Sequence, residues 1–265
     1  MLIKEIVNLN NADVSESKYL PKDFESDEIM LNPNDKYAIE AALQLKEKSG
    51  AGTVKAVCLG SKNALTVLRE AIAMGCDEAV QISESQNMYL SPFSKSEIIA
   101  KAIQKLGITD MILFGMASND FGSSQLASLV AARLNLPQAT YANSLDLENA
   151  NLVVSRYVEG GSIKIKIKTP CVVSVASTAN EPRYTSVKRI LVAKKATIPV
   201  LSYIDLGTDP GTLEKGSGME LMGIGTPEKS KSEVFKVAED DPEKSVSLLL
   251  QRMKSEGVDL GGFRH

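Results

Sequence analysis

The first half of the sequence alternates between short apolar runs and longer segments of helical periodicity, and this alternation constrains the fold more than any other feature. Apolar runs of strand length cover residues 2–7, 54–59, 78–82 and 111–114. Periodicity and capping residues predict helices over about residues 33–49, 61–74, 94–106 and 123–134. Strands joined by such helices predict right-handed crossovers. The expected class is therefore α/β, with a mostly parallel sheet and helices on both faces.

The middle of the chain has the pattern of an antiparallel hairpin. Isoleucines alternate with lysines over residues 163–167, and residues 152–158 form a second run of strand length. Between them, residues 159–162 have the sequence Glu-Gly-Gly-Ser, which suits a turn with positive φ. The apolar run CVVSVA follows Pro170. We predict that these segments add an antiparallel edge to the parallel sheet.

The last quarter of the chain has a looser pattern that ends in one amphipathic helix. Residues 207–231 are rich in Gly, Ser, Thr and Lys and show little periodicity. A helix opening at Asp241 and Pro242 then carries apolar residues at helical spacing, namely Val246, Leu249, Leu250 and Met253. We predict one α/β domain over residues 1–200 and a C-terminal arm over residues 201–265. The arm either folds back on its own domain or reaches a partner.

Histidine and cysteine usage excludes several kinds of catalytic site. The one histidine is His265, in a tail of the kind that usually frays, so Ser-His-Asp or Cys-His catalysis and a histidine zinc site are not expected. Cys58, Cys76 and Cys171 show no CxxC spacing, and we interpret them as reduced core residues. With no catalytic residues and no metal site indicated, a binding or carrier role is favoured.

Charge and hydropathy exclude two kinds of partner. The formal net charge is -3, so the chain lacks an overall basic field for binding nucleic acid. No apolar run approaches the ~18 residues of a membrane span. The first residues also lack the pattern of a secretory signal. We therefore expect a cytoplasmic protein without membrane insertion.

Three loops leave the carboxyl ends of predicted strands, where open α/β sheets bind ligands. They cover Asn8 to Asp13, Leu59 to Ser61 and Gly115 to Gln125. The third, within GMASNDFGSSQLASLV, offers small residues and hydroxyls where a helix begins, which suits a phosphate cradle. The segment has neither a GxGxxG nor a P-loop pattern, so from this segment alone an ordinary strand-to-helix loop rich in capping residues is favoured.

Four segments together resemble the electron transfer flavoprotein beta subunit. They are LNPNDKYAIEAALQLKEK, REAIAMGCDEA, the hairpin with Val154, Arg156 and Glu159-Gly160-Gly161, and ANEPRYTSVKRILVAKK, over about residues 30–200. The resemblance implies a Rossmann-like core of the adenine nucleotide alpha hydrolase type. It also implies AMP or a second FAD in this subunit and a redox FAD in a partner alpha subunit, which the arm would contact. Such heterodimers carry electrons from dehydrogenases, typically the acyl-CoA dehydrogenases of fatty acid oxidation, to a quinone reductase.

The resemblance also assigns roles to individual residues. Nucleotide contacts are expected at Val7, Asn32, Pro33, Asn34, Asp35, Leu59, Gly60, Gly115, Ser118, Asp120, Gly122, Ser123, Ser124, Gln125 and Leu126. The segment over residues 175–197 is expected to recognise dehydrogenases, with contacts at Asn180, Glu181, Pro182, Arg183, Tyr184 and the apolar anchor Val187. From the residues alone, Asn32-Pro33 is an ordinary helix start, and Lys188-Arg189 is an ordinary solvated face.

The chain departs from the family pattern at the third loop. Met116 and Ala117 stand where many members have Lys/Arg-Gln, and Gly122 stands where they have a second acid. This favours AMP over a second FAD, whereas the arm segment GSGMELMGIGTPEKS is closer to electron-bifurcating members. Two other readings stay open. One is a stand-alone nucleotide-binding sensor. The other is an enzyme acting on an activated nucleotide through Asp120 or Lys188.

Overall fold

A nine-stranded sheet forms the centre of the fold. The computed structural model describes residues 1–10, 23–83, 90–107, 110–149, 151–215, 218, 222 and 241–258. The strands in this part of the chain are β1 (Leu2–Ile3), β2 (Glu5–Val7), β3 (Ile29–Leu31), β4 (Lys55–Gly60), β5 (Glu78–Ser83), β6 (Met111–Gly115), β7 (Gln138–Glu148), β8 (Asn151–Val158), β9 (Gly161–Lys168), β10 (Cys171–Val175) and β11 (Val200–Leu201). The helices are α1 (Pro33–Ser49), α2 (Ala64–Met74), α3 (Pro92–Leu106), α4 (Leu126–Leu134), α5 (Val187–Lys194), α6 (Pro210–Lys215) and α7 (Pro242–Ser255).

The order of the strands confirms the predicted α/β class. The large sheet runs β11-β5-β4-β1-β6-β10-β7-β8-β9, and β2 pairs with β3 in a separate two-stranded sheet. Every pair from β11 to β7 is parallel. The pairs β7–β8 and β8–β9 are antiparallel, so the predicted hairpin does lie at the edge of the sheet.

Helices cover both faces of the sheet, as the sequence predicts. Alternate residues of a strand point to opposite faces. Accordingly, Leu2 packs in a cluster with α3 and α4, whereas Ile3 packs in a cluster with α1 and α2. Val172 and Val173 of β10 divide in the same way between α4 and α1. The core therefore consists of two apolar layers, one on each side of the sheet.

Three strand predictions were wrong. Residues 2–7 form two strands in different sheets, because the chain leaves the large sheet at Lys4. β10 is not part of the antiparallel edge; it lies inside the sheet, parallel to both neighbours, and all its residues are buried. β7 was missed because its sequence, QATYANSLDLE, has few apolar residues and no regular alternation. The hairpin turn is also shorter than predicted, since β9 already begins at Gly161.

Three helices start at other residues than predicted. α3 begins at Pro92, earlier than Ser94, because the Ser91 side chain accepts a hydrogen bond from the Ser94 amide at 3.3 Å. α2 and α4 begin three residues later than predicted, at Ala64 and Leu126. The predicted starts, residues 61 and 123, belong to the loops before these helices.

The cysteines and the helices agree with the sequence analysis where the structure describes them. Cys58, Cys76 and Cys171 are buried free thiols, which confirms them as core residues. Burial raises the pKa of the Cys76 and Cys171 thiols to about 11, so both stay protonated near neutral pH. Among the helices in the described ranges, none has the length and apolar character needed to cross a membrane.

The chain divides into two compact units, Met1–Gly225 and Thr226–His265. Tyr203, Leu206 and Leu213 are buried in the core of the first unit, although they fall in the predicted arm. In the second unit the predicted amphipathic helix is α7, which opens at Pro242 with Asp241 as its cap. Most of the predicted irregular segment and His265 lie outside the described residues.

We predict a large difference in stability between two Val→Ala substitutions. Val173 of β10 is fully buried, so V173A should lower the free energy of unfolding by about 2 kcal/mol through lost burial and the cavity it leaves. Val200 of edge strand β11 is 52% exposed, so V200A should cost less than about 0.5 kcal/mol. Urea unfolding measures both. Equal losses would contradict the interior position of β10.

Candidate functional site

The site lies where the strand order reverses. β1 is placed between β4 and β6, and Leu2 is paired with Val57 on one side and Phe114 on the other. The chain continues from β4 to β5 on one side of β1 and returns through α3 to β6 on the other. Such a reversal opens a crevice beyond the carboxyl ends of the strands, where ligands of α/β sheets bind. The loops after β4 and β6 flank this crevice. Residues 11–13 of the first predicted loop lie outside the described residues.

Hydrogen bonds join the start of α1 to the loop Gly115 to Gln125. The Asn32 side chain donates to the Ala117 carbonyl at 2.9 Å and accepts from the Asn119 amide at 3.1 Å. The Asn34 side chain donates to Asn119 Oδ1 at 2.9 Å. Asn32 precedes α1, but its side chain caps no helix amide. Asn32 and Pro33 do form the predicted helix start, and the Asn32 amide group is used to hold the loop after β6.

Gly115 permits this close approach. A Cβ at this position would lie 2.7 Å from the carbonyl carbon of Asn34 and would also meet the Asp35 carboxylate. Backbone cannot move aside as a flexible side chain can, so any larger residue would push β6 away from α1. The glycine in the predicted loop is thus required by packing against α1.

Asp35 is a buried carboxyl group beneath the crevice. It accepts a hydrogen bond from the Lys4 amide at 2.8 Å and is 5% exposed. Burial raises the pKa of Asp35 to about 7, although hydrogen bonds from Lys4, Asn32 and Gly115 act against this rise. Near neutral pH the group therefore titrates inside the protein, where its oxygens join β1, α1 and the end of β6.

A second buried carboxylate, Glu5, fills the space beyond β4. It is 3% exposed and accepts hydrogen bonds from the Ser61 amide at 2.5 Å and the Ser61 hydroxyl at 3.3 Å. A Cβ on Gly60 would lie 2.6 Å from its Oε1 atom. The Gln81 side chain donates to the Ser61 carbonyl at 2.6 Å. The sequence analysis missed Glu5, because it treated residues 2–7 as one apolar strand.

Lys4 brings a cation to the loop after β6. Its ammonium group forms an ion pair with Asp120 and lies 5.0 Å from the centre of the Phe121 ring. Burial lowers the pKa of Lys4, while Asp120 acts against this. Burial would raise the pKa of Asp120, but Lys4 outweighs it and holds that pKa below its usual range. The sequence analysis missed Lys4 too; the signal was a lysine within the first apolar run.

The loop after β6 is open at its far end. Gly122 and Ser124 have φ of 59° and 54°, in the left-handed region, and the Gly122 amide donates to the Ser118 carbonyl at 2.8 Å. Ser123 and Gln125 are exposed, and the Gln125 side chain does not cap α4. The loop therefore presents the start of α4 to solvent, as an anion-binding loop requires.

Other predicted nucleotide residues lie on β2, β4, α4 and α1. Val7 ends β2 and is half-buried, and Leu59 is half-buried at the end of β4. Leu126 is the first residue of α4 and is half-buried. Pro33 opens α1. Two of the predicted segments, Asn32 to Asp35 and Gly115 to Gln125, are thus in direct contact.

Two of the predicted recognition residues, Asn180 and Arg183, contact helix α1. The Arg183 guanidinium pairs with Glu40 at 2.7 Å and with Glu47 at 2.7 Å. Burial would raise the pKa of Glu40, but hydrogen bonds from Arg183 and Gln44 outweigh it and lower that pKa. The Asn180 side chain donates to the Tyr37 carbonyl at 2.9 Å. Arg183 and Asn180 therefore fasten this segment to the chain itself.

An exposed apolar surface follows this anchored stretch. Val187, the first residue of α5, is 74% exposed, and Leu191 and Val192 are 56% and 60% exposed. On its other side α5 packs against α2, where the Arg189 side chain donates to the Met74 carbonyl at 3.2 Å. Tyr184, Glu181 and Lys188 are also exposed, and Pro182 is half-buried. We call the set Tyr184, Val187, Leu191 and Val192 the α5 surface.

Asp35 generates a prediction about pH. A carboxyl group whose pKa rises from 3.8 to about 7 on folding binds a proton more tightly in the folded state. The stability it contributes is therefore complete below about pH 4 and is lost as the pH rises to about 7. Relative to D35N, the parent should lose roughly 1.4 kcal/mol of unfolding free energy per pH unit in this window. Urea unfolding between pH 4 and 7 measures it.

Asp77 supplies the control for this experiment. Burial would raise its pKa, but hydrogen bonds from Lys46 and the Val54 amide lower it below 3.8. The difference between the parent and D77N should therefore be flat over the same pH range. A flat difference for D35N as well would show that Asp35 is not protonated in the folded protein.

Comparison with known proteins gives the family. The family model for the electron transfer flavoprotein domain matches residues 24–206. The electron transfer flavoprotein subunit beta of Thermoanaerobacterium thermosaccharolyticum is 31% identical over 262 residues, covering 97% of this chain and 98% of the relative. That of Bacillus subtilis is 35% identical over 230 residues, covering 86% and 87%. The acryloyl-CoA reductase electron transfer subunit gamma of Anaerotignum propionicum is 34% identical over 233 residues, covering 87% and 84%.

The matched residues include the crevice segments in the loops after β4 and β6, the start of α1, and the α5 surface. The fold agrees with this match, since the large sheet is mostly parallel with helices on both faces. The described residues contain no group of three or more potential metal ligands. On the family match and the relatives from Thermoanaerobacterium thermosaccharolyticum and Bacillus subtilis, the chain belongs to the electron transfer flavoprotein beta subunit family.

Proposed function

We propose that this chain binds an adenine nucleotide in the crevice and works in a heterodimer with a flavin-bearing alpha subunit. The observation that carries the proposal is the contact between Asn32 to Asp35 and the loop Gly115 to Gln125 at the strand reversal. The resemblance implies nucleotide contacts in both segments. Their contact makes one continuous surface for a ligand.

The residues around the crevice fit a nucleotide phosphate. Gly122 and Ser124 adopt left-handed backbone conformations, the start of α4 is open to solvent, and Lys4 is close to the loop. Amides at a helix start and a nearby cation are the groups that bind phosphate in proteins. The remaining predicted contacts at Val7, Leu59 and Leu126 would cover the less polar parts of the ligand. We favour AMP over a second FAD, because the loop lacks the cation and second acid of many relatives.

The electron chemistry is assigned to FAD in the partner subunit, which accepts and releases the electrons. This chain supplies binding and orientation, which is the usual contribution of protein around a redox cofactor. We propose that the α5 surface recognises dehydrogenases, including acyl-CoA dehydrogenases, and that a quinone reductase receives the electrons. The exposed apolar side chains of α5 support a protein-binding role. One relative is named as an electron transfer subunit of acryloyl-CoA reductase, and this name links that relative to a CoA ester.

Ligand content tests the nucleotide site. The chain is co-expressed with its candidate alpha subunit, the complex is purified, and ligands are released with acid and quantified by chromatography. We expect one FAD and one AMP per heterodimer. S123E should reduce the AMP content at least about tenfold, because it places a carboxylate in the exposed loop where phosphate would bind. FAD content should not change.

Ser162 provides the matched control, because it is exposed on β9, away from the crevice. S162E should keep one AMP per heterodimer. Two FAD and no AMP in the parent would assign the site to a dinucleotide. No nucleotide and no complex with an alpha subunit would contradict the proposed function.

Val187 tests the recognition surface. V187D places a charge in the middle of an apolar contact, so kcat/KM for electron acceptance from a dehydrogenase should fall about tenfold or more. FAD should stay bound, because Val187 is not among the residues expected to contact a nucleotide. V200D, at a valine outside the segment over residues 175–197, should change the rate less than about twofold. Equal rates for V187D and the parent would place dehydrogenase recognition elsewhere.

A further inference from the structure

Lys4 supplies a positive charge that the loop itself lacks. The sequence of the loop Gly115 to Gln125 contains no lysine or arginine of its own. The Lys4 ammonium reaches the same loop from the residue that follows β1, pairing with Asp120 and lying over the Phe121 ring. Its side chain is 29% exposed, so a ligand in the crevice can reach it.

The position of Glu5 indicates which side of the crevice suits a ligand phosphate. Its buried carboxylate already accepts the Ser61 amide hydrogen bond after β4. A ligand phosphate at that loop would have to displace this hydrogen bond and would lie against a buried acidic side chain. The loop after β6 has the opposite character, since Lys4 lies against it. The phosphate therefore belongs on the Lys4 side.

We propose that Lys4 is the cation that binds the nucleotide phosphate, and that Asp120 holds its side chain in place until the nucleotide arrives. The inference rests on the proposed nucleotide site. The Lys4–Asp120 pair is partly exposed, so in water it contributes little and exchanges readily for a stronger partner. A phosphate group is such a partner because it carries more charge and several acceptor oxygens.

This role predicts a selectivity that a loop-holding role does not. If Lys4 binds phosphate, it raises the affinity for AMP and leaves the affinity for adenosine nearly unchanged. If Lys4 only holds the loop through Asp120, removing the Lys4 side chain lowers the affinities for AMP and for adenosine by the same factor. The ratio of AMP affinity to adenosine affinity thus separates the two roles, and it does not depend on small changes in folding.

The test uses equilibrium dialysis with labelled AMP and labelled adenosine. The protein is the full-length chain in complex with its flavin-bearing partner, freed of bound nucleotide. K4M should lower the AMP-to-adenosine affinity ratio about tenfold or more, the size expected for a lost charged hydrogen bond. K4R, which keeps the charge, should retain most of the ratio. D120N should raise the ratio, because it releases Lys4 and removes a charge that repels phosphate.

Each other result has a definite meaning. An unchanged ratio in K4M, with both affinities reduced equally, would overturn the proposal and leave Lys4 as a loop-positioning residue. A lower ratio in D120N would also overturn it, because Asp120 would then favour the phosphate. If the parent binds neither AMP nor adenosine, the nucleotide site itself fails, and the role of Lys4 fails with it.

Discussion

The contact between β6 and the start of α1 is so close that it fixes several parts of the crevice. It requires the glycine at position 115, since a side chain there would collide with the backbone of Asn34. Asn32 then bonds across the contact and fixes the loop after β6. Asp35 lies buried beneath this contact and accepts a hydrogen bond from the Lys4 amide. One packing contact thus positions the loop, the buried acid and the segment between β1 and β2 that contains Lys4.

Two adjacent residues of opposite charge divide the crevice. Lys4 and Glu5 follow β1 directly, and successive residues of an extended chain point in opposite directions. Glu5 is therefore directed to the loop after β4, and Lys4 to the loop after β6. A mononucleotide has one charged end and one less polar end. The division of charge suits such a ligand in one orientation, which supports the proposed choice of phosphate side.

The sequence could predict the parts of this structure that depend on periodicity. Prediction failed for the parts that depend on contacts between residues distant in the sequence. The parallel sheet and its helices have strong local patterns, and so does the hairpin of Ile163 and its neighbours. β7 has no such pattern and forms because β10 and β8 pair with it. The predicted site segments did come together at the start of α1. Lys4 and Glu5 were missed because their roles depend on contacts with Asp120 and Ser61, which are distant in the sequence.

Helix α1 connects the two proposed functions of this chain. Its first turn holds the loop of the crevice through Asn34, and its middle holds the recognition segment through Glu40 and Arg183. Glu40 is 4% exposed, and burying a carboxylate without a partner is costly, so this segment cannot leave α1 without a large loss of stability. A nucleotide bound against the start of α1 would therefore stabilise the same helix that supports the α5 surface. This gives a nucleotide that takes no part in electron transfer a structural reason to be retained.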